Sequence, residues 1–182
     1  IFKYVKNEDS KIEKPTVLDA YAGIATFGIC VSDVAEKVTS VEENSSSIQK
    51  AKEVLKSNNI NNVELFAQDT LRYLKSIKKK FDIIILDPPR KGCTQEVLDE
   101  VLRHLKSNHS KAESDEILRS AQNDAIAEGA SKGKIIYVSC NPATLARDLK
   151  YLTEHGAKVE SIQPFDMFCH TYHIENVAII NL

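Results

Sequence analysis

The sequence predicts an α/β fold, doubly wound around a mostly parallel seven-stranded sheet with an antiparallel last strand. Three observations carry this. Short β-branched and aromatic runs alternate with stretches whose apolar residues recur at helical spacing, as in parallel strands joined by crossover helices. The first strand runs into a glycine-bearing turn and then a helix. Two strand-like segments close the chain with no helix between them, which calls for an antiparallel return.

Residues 1–15 are charged, end in Pro15 and read as a weakly structured lead-in. Thr16-Val17-Leu18-Asp19-Ala20 is the first strand, and Tyr21-Ala22-Gly23-Ile24-Ala25-Thr26 is the turn. Phe27, Cys30, Val31, Val34 and Ala35 then form one apolar helical stripe facing the sheet. Gly23 lets the backbone approach a ligand closely. The turn lacks the three glycines of the dinucleotide fingerprint, and no phosphate-loop lysine follows. A ligand without a pyrophosphate is therefore expected, with S-adenosylmethionine the obvious candidate. Residues 37–42 are the second strand and end in Glu42. An acid about 20 residues past the first turn can accept hydrogen bonds from both ribose hydroxyls, whereas a plain strand-end Glu would only face solvent.

Ile48, Ala51 and Leu55 mark the next helix, closed by the asparagine-rich run at 58–62. Residues 63–67 are the third strand, with Asp69 just past its end. Asp69 either caps the following helix or contacts the adenosine part of a cofactor. Residues 81–86 are almost continuously apolar, the mark of a strand buried on both faces. Asp87-Pro88-Pro89-Arg90 follows. Two prolines cannot extend a strand and stiffen the backbone, so they hold Asp87 and Arg90 at the sheet edge. A rigid acid there can hydrogen-bond a base edge or a cofactor amine. Val97, Leu98, Val101, Leu102 and Leu105 give another helix. Residues 107–132 are polar and read as a surface insertion in a helix-to-strand link that is usually short.

Ile135-Ile136-Tyr137-Val138-Ser139-Cys140-Asn141-Pro142 is the stretch around which the chain is organised. It reads as a buried strand, a cysteine, and the start of a helix capped by Asn141 with Pro142 in its first turn. Cys140 thus lies at the carboxyl end of a strand, where open α/β sheets bind ligands, and beside a helix N-terminus, which favours thiolate. It is either a nucleophile or one more small buried apolar residue. Leu145, Leu149 and Leu152 mark the helix, which ends near Gly156. Residues 158–163 are a strand, 164–175 a loop dense in polar and aromatic groups, and 176–182 the closing strand.

The 182 residues are 42% apolar and 27% charged, ordinary for one globular domain. A formal net charge of −2 provides no global positive field, so a polyanion would have to be met by a local patch. Lys75, Lys78, Lys79 and Lys80 form one such cluster, read as a solvated helix end, and Arg90 with Lys91 another. Cys30, Cys93, Cys140 and Cys169 are far apart and form no C-x-x-C pair, which fits a reduced cytoplasmic protein with no structural metal. No apolar run approaches the roughly 20 residues of a membrane span. The first residue is Ile1 rather than Met, so a fragment of a longer protein is expected.

The motifs resemble the RNA uracil-C5 methyltransferase family, whose members make 5-methyluridine in tRNA and rRNA. Those that match are Leu18-Asp19-Ala20-Tyr21-Ala22-Gly23, Val41-Glu42, Asp87-Pro88-Pro89-Arg90-Lys91-Gly92, the run from Tyr137 to Asp148, and the segment from Asp166 to Glu175. They follow family order across nearly the whole chain. Ala22 stands where the family usually has Cys, Ala25 where it usually has Gly, and Cys169 where it usually has Pro. The resemblance implies that residues 1–182 are a monomeric catalytic domain with a Rossmann-like class I methyltransferase fold. It implies S-adenosylmethionine as cofactor and RNA, tRNA or rRNA, as partner. Tyr21, Thr26, Glu42, Asp69 and Asp87 would line the cofactor and base pocket, with Asp87 and Arg90 on the substrate. Cys140 would be the nucleophile and Glu175 the general base. The rival expectations are an amino-group methyltransferase, which also carries Asp-Pro-Pro but needs no cysteine, and a catalytically silent RNA-binding fragment.

Overall fold

The computed structural model describes residues 1–6, 14–105, 133–167, 170–171 and 174–182. The sequence-predicted insertion at 107–132 and Cys169 lie outside the described residues. The elements in order are α1 (Phe2–Val5), β1 (Thr16–Ala20), α2 (Thr26–Val31), β2 (Lys37–Glu42), α3 (Ser45–Ser57), β3 (Val63–Ala67) and α4 (Thr70–Ser76). They continue with β4 (Ile83–Leu86), α5 (Gln95–His104), β5 (Lys134–Ser139), α6 (Pro142–Glu154), β6 (Lys158–Phe165) and β7 (Glu175–Asn181). The seven strands form one sheet in the order β3-β2-β1-β4-β5-β7-β6. The pairings among β1 to β5 are parallel, and β7 runs antiparallel to both β5 and β6. This is the doubly wound, Rossmann-like methyltransferase sheet expected from the sequence, with its topological switch between β1 and β4.

Alternation along the central strands divides the interior into two apolar layers. Ile84, Leu86, Ile135 and Tyr137 pack with Leu74 of α4, Leu98 of α5 and Leu149 of α6. Ile83, Ile85 and Ile136 face the other way, toward Val5, Val31 and Leu55 of α1 to α3. Each such side chain contributes about 1.5–3 kcal/mol by leaving water, so the central strands hold both helix layers in place. Four helices start where a side chain can take the first free amides. Asn44, Asp69, Thr94 and Asn141 cap α3, α4, α5 and α6, and Pro142 occupies the first turn of α6.

Some details depart from the sequence reading. The lead-in contains a short helix, α1, whose Val5 is buried against the sheet. Helix α2 stops at Val31, and Cys30 is exposed rather than part of the apolar stripe, because Gly28 and Val31 are the residues that face inward. β4 begins at Ile83, while Phe81 forms an isolated parallel bridge with Leu105. β6 reaches Phe165 and pairs it with Glu175, so the last loop is shorter than expected. The lysine cluster is only partly solvated. Lys75 pairs with Glu96 at 3.2 Å, and the Lys79 ammonium lies 4.9 Å from the centre of the Phe81 ring. Among the described residues, no helix is long and apolar enough to cross a membrane.

Candidate active site

The β1–α2 turn is held in a demanding backbone shape. Tyr21, Gly23 and Ala25 have φ of 61°, 56° and 60°, a left-handed conformation that costs little only for glycine. The turn is tied down by Ala22 N–H donating to Val41 O at 3.0 Å and Ala25 N–H to Ala22 O at 2.7 Å. Glu42, at the end of β2, completes it. One carboxylate oxygen accepts from Gly23 N–H at 2.9 Å and the other from Asn44 N–H at 2.8 Å. Its remaining lone pairs make it a fixed, acceptor-only group beside the turn. A Cβ placed on Gly23 would meet nothing within 4 Å, so the turn borders open space. Thr26 begins α2 and is exposed. Asp69 caps α4, accepting from Arg72 N–H at 2.9 Å, and is exposed beyond the end of β3.

Beneath the turn lies a carboxyl that sequence reasoning assigned no role. Asp19 is fully buried, and one oxygen accepts from Gly28 N–H at 2.9 Å and Ser40 Oγ–H at 3.1 Å. Its other oxygen has no partner among the described residues. Burial outweighs those two bonds and pushes the Asp19 pKa up to about 7.

The second half of the edge is built from β4, β5 and β7. Asp87 follows β4, open to solvent on one side and crowded by protein on the other. Loss of solvent on the crowded side, and then the charge of Glu175, push its pKa up to about 6. Cys140 follows β5 and is half-buried. Glu175 is the first residue of β7. Because β7 is antiparallel, its start lies at the edge where β5 ends. The last β5–β7 pair is Ser139 with Asn176, so the register continued by one residue sets Cys140 against Glu175. Asn176 Nδ2 fastens this corner by donating to Ser139 O at 3.3 Å and Ile174 O at 3.1 Å. Arg90 is exposed, and its carbonyl accepts from Asn141 Nδ2 at 3.3 Å and Thr144 Oγ at 3.2 Å. All eight sequence-predicted site residues therefore come to one sheet edge: Tyr21, Thr26, Glu42 and Asp69 on one side of the switch, and Asp87, Arg90, Cys140 and Glu175 on the other, with Asp87 beside the switch itself.

A buried polar cluster behind this edge was missed. Asp148 accepts from Tyr137 Oη–H at 2.6 Å, from Cys93 N–H at 2.8 Å and from Arg147 Nε–H at 2.8 Å. The Cys93 thiol is buried in the same cluster, and loss of solvent pushes its pKa up to about 12. Cys93 is therefore a neutral thiol at ordinary pH. The only sequence signal was an aspartate on the α5 side of α6, four residues before apolar Leu152. A cavity of about 570 Å³ adjoins this cluster between residues 91–95 and α6, and none of the sequence-predicted site residues lines it.

Two family models match the chain. Residues 1–151 match the one described as Conserved hypothetical protein 95, and residues 122–181 the one for tRNA (Uracil-5-)-methyltransferase. A protein of Thermotoga maritima named as an uncharacterized RNA methyltransferase is 36% identical over 180 residues, covering 99% of this chain and 35% of the relative. One of Clostridium tetani, named likewise, is 34% identical over 178 residues, covering 98% of this chain and 33% of the relative. The chain thus spans about a third of the length of the curated relatives it matches. Among solved structures, the tRNA (uracil-54, C5)-methyltransferase of Pyrococcus abyssi, in complex with S-adenosyl-L-homocysteine, is 30% identical. It superposes with a TM-score of 0.66 over 94% of this chain and 35% of its own. A ribosomal protein L11 methylase from Lactobacillus delbrueckii subsp. bulgaricus shares the fold at 17% identity, with a TM-score of 0.66 over 94% of this chain and 72% of its own.

Proposed function

The chain belongs to an RNA methyltransferase family, that of Conserved hypothetical protein 95, and from this premise we propose that it methylates C5 of a uridine in tRNA or rRNA through a covalent cysteine adduct. One observation supports this reading above all. The β5–β7 register, continued by one residue, sets a thiol, Cys140, against a carboxyl group, Glu175, at the edge where Asp87 follows β4.

The cofactor is S-adenosylmethionine, and when bound it supplies the electrophilic methyl group. The residues present fit it. Glu42 is a fixed acceptor suited to two ribose hydroxyls, and open space lies above Gly23. Tyr21, Thr26 and Asp69 border the same half of the edge, and Asp87 stands at its meeting point with the base.

C5 of uracil is a weak nucleophile. The Cys140 thiolate adds to C6, forming a C–S bond and moving the π electrons toward O4, so that C5 becomes carbanion-like. Asp87 orients the uracil edge, with the base flipped out of its RNA stack, and Arg90 meets phosphate or the enolate oxygen. After methylation, Glu175 removes the C5 proton, the C5–C6 double bond re-forms and the Cys140 thiolate leaves.

The test uses the full-length protein with labelled cofactor and total tRNA and rRNA, with the modified bases mapped. The expected product is 5-methyluridine, and RNA containing 5-fluorouridine is expected to trap the wild type, but not Cys140→Ala, in a denaturation-resistant adduct. Methyl groups on exocyclic amines with no adduct would replace this reading with an amino-group methyltransferase. Cofactor binding without any transfer would make the chain a silent RNA-binding domain.

A further inference from the structure

We propose that Asp148 is a positioning residue whose hydrogen bonds to the Tyr137 hydroxyl and the Cys93 backbone N–H set the placement of the Cys140 thiol relative to Asp87. The inference rests on the covalent reading above and goes beyond it, because none of these residues was assigned to the site.

Asp148 is buried. Its Oδ2 accepts from Tyr137 Oη–H at 2.6 Å and from Cys93 N–H at 2.8 Å, and Arg147 Nη2 lies 2.7 Å from its Oδ1.

The members come from three segments that all end at the site. Cys93 ends the loop that starts at Asp87. Tyr137 precedes Cys140 by three residues on β5, and Asp148 lies on α6, whose first residue is two past Cys140. Cys140 and Asn141 are thus the short link between two elements that one carboxylate ties together. Arg147 extends the tie by donating to Lys91 O at 2.9 Å and Cys93 O at 3.1 Å. Asn141 and Thr144 hold Arg90 O from the same helix. The loop can come this close only because residue 92 is glycine. A Cβ there would lie 2.5 Å from Asp148 Oδ2 and 2.7 Å from Arg147 Nη2, and Gly92 has φ of +73°. A buried carboxylate that accepts from three elements has one low-energy arrangement, and displacement of a reacting group by even about 1 Å can cost on the order of 100-fold in rate.

The experiment follows adduct formation on 5-fluorouridine RNA by the full-length protein, for wild type, Tyr137→Phe and Asp148→Asn. Tyr137→Phe removes one hydroxyl and fills the same space. The amplitude counts competent sites, and the rate constant reports the placement of Cys140. A rate constant lowered tenfold or more, with amplitude and cofactor affinity unchanged, supports the positioning role. A lowered amplitude with an unchanged rate constant would show that the cluster serves folding only, and no change in either would also overturn the proposal. Should Asp148→Asn fail to fold, Tyr137→Phe alone decides. If wild type transfers methyl groups without forming an adduct, the covalent reading fails by itself. The positioning role is then decided by the single-turnover methyl-transfer rates of the same proteins.

Discussion

Cys140 and Glu175 stand one residue beyond the last pair of the β5–β7 ladder, Ser139 with Asn176, so two residues 35 positions apart in sequence are set at one corner. If they divide the chemistry as proposed, their variants should fail at different steps. Glu175→Gln keeps the thiolate but cannot take the C5 proton. An adduct carrying the methyl label should accumulate on a denaturing gel, with turnover reduced at least 100-fold. Equal turnover by Glu175→Gln and wild type would remove Glu175 from the mechanism.

Glu42 is held by the Gly23 and Asn44 N–H groups, and the proposed function gives it the ribose hydroxyls to accept from. Glu42→Ala removes a charged acceptor, and cofactor affinity should fall by about 1–3 kcal/mol, or roughly 5- to 150-fold. Calorimetry on the full-length protein measures this. Unchanged affinity would reduce Glu42 to a strut for the turn.

Asp19 couples the fold to pH. Its pKa is raised from 3.8 to about 7 in the folded protein. The folded state therefore holds a proton that the unfolded chain releases, and stability falls as pH rises from about 4 to about 7, then levels off. The slope from this group is about 1.4 kcal/mol per pH unit. Asp19→Asn can keep both accepted hydrogen bonds and carries no charge. It should flatten that part of the curve, so its advantage over wild type grows toward pH 7. Denaturant unfolding at pH 4.5 and pH 7.5 gives the comparison, and parallel curves would refute it.

Ala25 occupies a left-handed backbone position, φ 60°, where the family it resembles usually carries glycine. Ala25→Gly should raise stability by up to about 1 kcal/mol, the left-handed penalty exceeding the entropy glycine adds to the unfolded chain. A lower melting temperature for Ala25→Gly would show that the packing of its methyl group matters more.

The parts of the site that could be read from sequence were those marked by local chemistry. The edge positions of the proposed site residues were legible: Glu42 by its distance from Gly23, Asp87 by two prolines that cannot continue a strand, and Cys140 by the strand before it and the capped helix after it. Strand positions were equally legible, because Ile83 to Leu86 must be covered on both faces. What escaped notice depends on contacts between distant segments. Nothing local marks Tyr137 as more than a strand residue, Cys93 as more than a small apolar one, or Asp148 as more than a polar residue on a helix. Cys30 was misassigned because Gly28 and Val31, rather than Cys30, form the inward face of the short helix α2.

β7 lies inside the sheet, between β5 and β6, yet it is translated after every other strand of that sheet. While residues 175–181 are still within the ribosome, Ile135 to Val138 present an unpaired apolar strand edge, and the nascent domain can neither close nor bring Glu175 to Cys140. Maturation of the sheet and of the reactive corner is thus a single event that waits for β7. Chains interrupted before β7 would be both inert and prone to cross-strand aggregation, and therefore natural clients for chaperones and proteases.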